Sequence, residues 1–309
     1  PEELLNKAEI TTRHVKSLPT QFAFYEETDT EAARDKLLLE KDLVQAINKD
    51  ELVLHYQPKV DLSTGKVDSI EALLRWQHST RGFVSPQVII SIAEESNLIY
   101  RLTDWVITQA VKQVAAWHDD GVTVKVSVNL SVKDLLRDDL YQKISSILGK
   151  YKLAPQYLDV EITESVALVN AEQSIQLLDS LKEMGISISL DDFGTGYSSI
   201  SHLTSLPVDI VKIDQSFIRK VNTPSSHKTA DGPKYDNRLI IENIIRLARS
   251  FNLTSVVEGV ETIEQLNLLR EFDCDLIQGY LLSRPVTAEE LTPVIAQGYI
   301  DLESLTDTG

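Results

Sequence analysis

ELVLHYQPKV (51–60) and VDSIEALLRW (67–76), joined by DLSTGK (61–66), decide the architecture of this chain. Both runs are strand-like, and a short glycine-containing connection between two alternating runs is the signal of an antiparallel β-hairpin. Outward from that hairpin the sequence changes rhythm. Helical segments are expected over 86–95 and 102–117, after which strand and helix alternate: strand at Val124, helix after Ser131, strand at Leu158, helix from Ala171. A strand at Ile186, a helix after Tyr197 and strands at Val208, Thr254 and Leu276 follow, with helices between them. Eight strands result, seven of them parallel.

Seven of the apolar runs end in, or lead directly into, a residue able to bind metal or activate water. They close on Glu71 (SIEALLRW), Asn129 (VKVSVNLS), Glu161 (LDVEITES), Asp191 and Asp192 (ISISLDDFGTG), Lys212 and Asp214 (VDIVKID), Glu258 (SVVEGVE) and Gln278 (LIQGY). One acid at a strand end is ordinary; Asn129 alone reads as a cap before the helix opened by Ser131, and Glu161 alone as a cap near Thr163. Repetition around a series of strand-helix units is not ordinary. In a closed barrel all strands bring their carboxyl ends to one face, where active sites sit. The expected fold is therefore α/β, a TIM-like (β/α)8 barrel with one antiparallel strand, and the expected site is one ring of ligands. Carboxylates about 4 Å apart repel by roughly 4 kcal/mol per pair at an effective dielectric near 20, so such a ring calls for cations.

Composition narrows the function. With 309 residues, 42% hydrophobic and 25% charged, the chain can bury one large barrel and an appendage. A net charge of -17 argues against DNA or RNA as partner, because affinity for a phosphate backbone comes from Lys and Arg. Cys274 is the single cysteine, which excludes an internal disulfide framework, and no signal peptide or apolar run long enough to span a bilayer is present. A reducing, cytoplasmic setting is expected, with no membrane contact by this segment and any membrane anchor left to segments outside it. The six histidines lack zinc-type spacing.

EALLRW (71–76), NLS (129–131), EITES (161–165), DDFGTGYSS (191–199), VKID (211–214), EGVET (258–262) and QGYLLSRP (278–285) resemble, in order, the motifs of the EAL-type cyclic-di-GMP phosphodiesterases. The resemblance runs from about Glu51 to about Val286. Two departures are mild: Val257 stands where alanine is usual, and Asp273 where glycine is common.

The resemblance implies two Mg²⁺ or Mn²⁺ ions, whose preference for hard oxygen ligands suits this set. It gives Glu71, Asn129, Glu161 and Asp191 to the first ion, has Asp191 bridge both, and gives Asp192 to the second. Glu258 ligates the second ion, acts as base for the water, or does both. Two ions in this arrangement serve in-line phosphodiester hydrolysis. Asp191 and Asp192 are adjacent, so both can serve only if the strand ends there; Gly194 and Gly196 allow that turn. Lys212, flanked by apolar neighbours, needs a charge partner, and Asp214, two residues on along the same strand, is the expected one. The resemblance adds that Lys212 holds the attacking water. It further places Asp214 and Glu164 with Glu71, Lys212 and Glu258 in catalysis, Glu164 acting with the DDFGTGYSS loop to couple dimerisation to metal binding. Gln57, Leu74, Arg75, Asp214, Gln278, Arg284 and Pro285 are the implied substrate contacts. Arg75, directly after the first ligand strand, is either a clamp on a substrate phosphate or a surface ion pair, while Arg284 and Pro285 resemble a guanine-pocket segment.

The implied activity is metal-dependent hydrolysis of cyclic-di-GMP to linear 5'-pGpG, the alternative being a catalytically silent receptor for the same nucleotide. Another metal-using barrel, acting on enolates or phosphosugars, would not combine NLS, EITES and DDFGTGYSS. Residues 1–28 resemble the closing part of a GGDEF-like domain or form an N-terminal extension, and 29–50 read as a linker helix with Leu37, Leu38, Leu39, Val44 and Ile47 on its apolar side. The barrel domain is expected over 51–309. Asn222 to Arg238 reads as an exposed insertion. A homodimer and upstream GGDEF-like or sensory domains are expected from the resemblance.

Overall fold

The computed structural model describes residues 27–49, 51–164, 171–195, 203, 205–221 and 237–305. The expected GGDEF-like tail up to residue 26, the 222–236 part of the insertion and the closing GYSS (196–199) of the DDFGTGYSS loop lie outside these residues.

The hairpin forms as expected. β1 (Leu52–Asp61) and β2 (Val67–His78) pair with each other, and β1 runs antiparallel to β9 (Leu276–Ile277). The turn between them closes with Gly65 N donating to Asp61 O, and Asp61 Oδ1 accepts from both Ser63 and Thr64. Gly65 sits at φ +71, and a Cβ there would lie 2.5 Å from Ile300 O, so only glycine serves.

The remaining strands are β4 (Lys125–Asn129), β5 (Leu158–Thr163), β6 (Ser187–Phe193), β7 (Ile210–Ile213) and β8 (Thr254–Val257). They continue from β2 to β9 in parallel pairs, and the β1–β2 pairing closes the sheet. This is the eight-stranded TIM-like barrel with one antiparallel strand. The seam between first and last strands is reinforced by the bridges Tyr56 to Val286 and Lys66 to Tyr299. Sequence reading missed β3 (Gly82–Val84), a three-residue strand antiparallel to the end of β2.

Alternation along the strands sorts residues between two cores. Val126, Val128, Val160, Ile162, Ile188, Leu190, Val211 and Ile213 face outward and pack with the helices in one apolar cluster. Those helices include α3 (Ile99–Asp119), α4 (Leu140–Tyr151), α5 (Ala171–Met184), α6 (Gln215–Arg219), α7 (Asn237–Ser250), α8 (Ile263–Glu271) and α9 (Ala288–Gln297). The inward positions of β4 to β6 carry Ser127 and Asn129, Asp159 and Glu161, Ser189 and Asp191. The barrel interior is thus polar where this architecture is ordinarily filled with branched apolar side chains.

By contacts the chain divides into two compact units, 1–53 with 75–102, and 54–74 with 103–309. In the first, α1 (Glu27–Asn48) buries Leu39, Leu43, Ala46 and Ile47, an i, i+4, i+7, i+8 stripe. Leu37 and Leu38, expected on that stripe, are 54% and 44% exposed because 100° per residue carries them off it. Within the same unit His78 Nε2 meets Asp42 Oδ2 at 3.2 Å, and Arg81 forks onto both oxygens of Asp35. α2 (Pro86–Glu95) starts at the Ser85 cap.

Asp273 adopts φ +54, a backbone shape that glycine takes most readily. Arg249 donates to its carbonyl at 2.7 Å, supporting a backbone shape that Asp tolerates better than most residues. Next to it Cys274 is buried, and burial pushes its thiol pKa up to about 12. Its reaction with a thiol reagent at pH 8 is expected to be negligible in the folded chain and to appear only across the urea unfolding transition. Fast labelling under native conditions would contradict this placement.

Candidate active site

Glu71 is buried on β2 between two amide donors. Asn129 Nδ2, at the end of β4, donates to Glu71 Oε1 at 2.9 Å, and Gln278 Nε2, just past β9, donates to Glu71 Oε2 at 2.7 Å. Across the barrel Glu161 is gripped by two lysines: Lys59 Nζ meets its Oε1 and Lys212 Nζ its Oε2, each at 2.5 Å. Lys212 Nζ also lies 2.7 Å from Glu258, 3.2 Å from Asp191 and 3.6 Å from Glu71. The strand ends have therefore brought Glu71, Asn129, Glu161, Asp191, Lys212, Glu258 and Gln278 to one place, as their spacing predicts.

The arrangement of Asp191 and Asp192 corrects the expected strand end. β6 runs on to Phe193 with a register shift between Leu190 and Phe193, and Asp192 itself takes φ +55. A bulge of this kind re-aims side chains; here it lets Asp191 reach Lys212 while Asp192 feels the charges of Asp214, Lys212 and Glu71. Gly194, at φ +99, continues the turn with Phe217 2.9 Å from where its Cβ would be. Gly196 lies outside the described residues.

Lys212 is not paired with Asp214. β7 ends at Ile213, and Asp214 has left the strand to cap α6, accepting from Ser216 N at 2.9 Å. Lys212 finds its partners across the barrel, which a reading confined to one strand cannot see. Glu164 follows β5 immediately, but its expected contact with the loop falls on residues outside those described.

Of the expected substrate contacts, Gln57 Nε2 donates to Ser283 O at 2.9 Å, and its Oε1 accepts from Gln278 Nε2 at 3.0 Å. His55 Nδ1 and Pro285 O are 3.1 Å apart, and the Arg284 guanidinium stacks 4.3 Å over the Tyr280 ring. Leu74 packs against the apolar core. Arg75 lies within β2, which continues to His78, rather than after it, and belongs to the first unit. Gly279 is required because a Cβ there would lie 2.1 Å from Val260 O; this close approach sets Gln278 in line.

The electrostatics follow from crowding. Five carboxylates, those of Glu71, Glu161, Asp191, Asp192 and Glu258, share two ammonium groups. Burial raises the pKa of Glu71, Asp191 and Asp192, helped respectively by the charges of Glu161, Glu161 and Asp214. Burial, abetted by Asp191 and Glu71, lifts Glu258 to about 8. Glu161 is the exception: burial opposes its charge, yet Lys212 and Lys59 outweigh it and hold the acid at about 2. Burial likewise works against Lys212, but Asp191, Glu161 and Glu258 keep it well above the ordinary lysine value.

A divalent ion fits this chemistry. The donors are hard oxygens on one face, the carboxylates exceed the available positive charge, and Gln278 Oε1 is buried without a hydrogen-bond partner among the described residues. As they stand, no three Asp, Glu, His or Cys side chains among the described residues are set to hold an ion; the converging oxygens meet on Lys212 Nζ. Glu71, Asn129, Glu161, Asp191, Asp192 and Glu258 are the residues that would hold it.

Sequence reading missed Lys59. It lies on β1 two residues after Gln57, hence on the same strand face, and the available signal was a lysine between Pro58 and Val60 inside a strand-like run.

The fold and site together define a β/α barrel with an acidic, lysine-centred ring at the carboxyl ends of its strands. The EAL domain family model matches residues 40–285, and the chain belongs to that family. It is 39% identical over 287 residues to the cyclic di-GMP phosphodiesterase NbdA of Pseudomonas aeruginosa, covering 92% of this chain and 35% of that protein. It is 37% identical to the bifunctional diguanylate cyclase/cyclic di-GMP phosphodiesterase MucR of the same organism, over 95% of this chain and 42% of that one. The chain therefore spans about a third to two fifths of these relatives' lengths. Among solved structures, the PaMucR phosphodiesterase in complex with c-di-GMP matches with a TM-score of 0.75 at 39% identity, covering 82% of this chain and 99% of that one. No described helix is long and apolar enough to cross a membrane.

Proposed function

We propose that this chain hydrolyses cyclic-di-GMP to linear 5'-pGpG in a reaction that depends on two Mg²⁺ or Mn²⁺ ions. The observation that carries the reading is the convergence of Glu71, Asn129, Glu161, Asp191 and Glu258 with Lys212 at the strand ends. The names of its relatives point to the same nucleotide. When bound, the ions supply the charge that polarises water and phosphodiester and neutralises the leaving oxygen.

The chain's own groups do the rest. Lys212 and Glu258, 2.7 Å apart, hold the attacking water, and Glu258 is placed to take its proton, to ligate, or to do both. The water oxygen bonds to phosphorus, the P–O3' bond breaks, and the released 3' oxygen takes a proton, leaving a 5'-phosphate on the linear product. Gln57, Gln278, Arg284 and Pro285 line the nucleotide side, and Arg75 is proposed as a phosphate clamp. A small dianion suits a negative protein whose positive charge is local. The working form is proposed to be a cytoplasmic homodimer governed by Glu164 and the DDFGTGYSS loop, with GGDEF-like or sensory domains upstream.

The test is chromatographic: cyclic-di-GMP is incubated with the chain and Mn²⁺ or Mg²⁺, and in parallel with EDTA. Linear product with metal and none with chelator is expected. Tight nucleotide binding without product under either metal would make the chain a receptor.

A further inference from the structure

We propose that Lys59, which no motif marks, is a positioning residue for the metal ligand Glu161; the inference rests on the metal-dependent reading above. Its side chain enters the barrel from β1 and is 1% exposed. The ammonium donates to Glu161 Oε1 and, at 2.7 Å, to Ser127 Oγ on β4. Ser127 is the register partner of Asp159 on β5, whose two carboxylate oxygens accept from Ser189 Oγ on β6 at 3.0 and 2.8 Å. These four residues make a polar floor, and on β4, β5 and β6 the next inward residues up the strands are Asn129, Glu161 and Asp191.

A buried ammonium and a buried carboxylate are expensive to keep there, and well-packed apolar residues would serve stability as well or better. The geometry indicates what the lysine does instead. Glu161 has three side-chain torsions and two equivalent oxygens, so its carboxylate plane is not fixed by the strand alone. Lys59 holds Oε1 from below, which leaves Oε2 as the oxygen presented to the ring, where Lys212 Nζ meets it at 2.5 Å. Glu161 is thereby set to offer a cation one oxygen in a fixed orientation. Partners that orient a metal ligand in this manner commonly change metal affinity by about 10- to 100-fold when removed.

The test is Lys59→Met in the whole chain, read in two ways. Mn²⁺ binding without nucleotide, followed by the electron paramagnetic resonance of free Mn²⁺, is expected to weaken by about tenfold or more. The Mn²⁺ concentration for half-maximal hydrolysis should rise in parallel, while KM for cyclic-di-GMP at saturating Mn²⁺ stays within about threefold of wild type. Ser127→Ala removes one acceptor of Lys59 at small cost in volume; it is expected to weaken Mn²⁺ binding a few-fold, and it decides the matter if Lys59→Met does not fold. Wild-type Mn²⁺ affinity in a folded Lys59→Met, or in Ser127→Ala where Lys59→Met fails to fold, would overturn the proposal, even if thermal stability fell. A wild-type chain that binds no Mn²⁺ would instead overturn the metal-dependent reading beneath it.

Discussion

Glu71→Ala is expected to lose hydrolysis of cyclic-di-GMP by on the order of 10³-fold or more while remaining folded, since a metal site of this kind contributes several kcal/mol to the transition state. The two halves of that expectation come from different features. Activity falls because both Glu71 oxygens lie in the ring, with Asn129 and Gln278 oriented by them. Removing the carboxylate takes away a proposed metal ligand and leaves two amides without the acceptor that aims them. The fold survives because Glu71 is a strained guest: burial and the charge of Glu161 both raise its pKa. One fewer acid in the cluster relieves repulsion, so thermal stability should be unchanged or higher. Chromatography of product beside a thermal melt checks both halves. Activity within tenfold of wild type would remove Glu71 from the metal site.

Lys212→Met is expected to lose activity as fully and, unlike Glu71→Ala, to destabilise the chain. The lysine is 1% exposed and its ammonium lies within 3.6 Å of four carboxylates. Taking one member from a buried ionic cluster leaves the others uncompensated, typically at a cost of about 3–5 kcal/mol. Part of that loss should be recovered by millimolar Mn²⁺, because a cation that binds only the folded chain stabilises it by mass action. Urea unfolding with and without Mn²⁺ measures this. A Lys212→Met chain as stable as wild type without metal would show that the acids do not depend on the lysine for their charge balance.

Much of the site was legible because a β-strand repeats every two residues. Once Asn129, Glu161 and Asp191 are placed at strand ends, closure of the sheet brings them together without further information. The hairpin at DLSTGK was equally legible, since turn chemistry is local. What the sequence withheld depends on contacts across the barrel. Asp214 was the natural partner for Lys212 only on the assumption that β7 continued, and one residue of strand length decided otherwise. Lys59 was hidden for the same reason, its partners lying 68 and 102 residues away. The left-handed φ of Asp192 is a third case: two adjacent acids cannot both face inward on a regular strand, but only the register of β6 against β7 shows that a bulge, and not the strand's end, turns the chain there. In α1, Leu37 and Leu38 misled because a run of three leucines does not say which of them lies on the buried stripe.

The seam of the barrel joins its earliest strand to its latest, and Gln57 is hydrogen-bonded to Gln278 across 221 residues of chain. A polypeptide emerging from the ribosome has therefore made Glu71, Asn129, Glu161, Asp191 and Lys212 long before β1 has a neighbour on its open side. Until β9 and the segment through Val286 arrive, Glu71 lacks one of its two amide donors and the sheet cannot close. A fragment ending before that point is expected to show none of the proposed hydrolysis whatever ligands it carries, so the site would be completed only when synthesis of the barrel is all but finished.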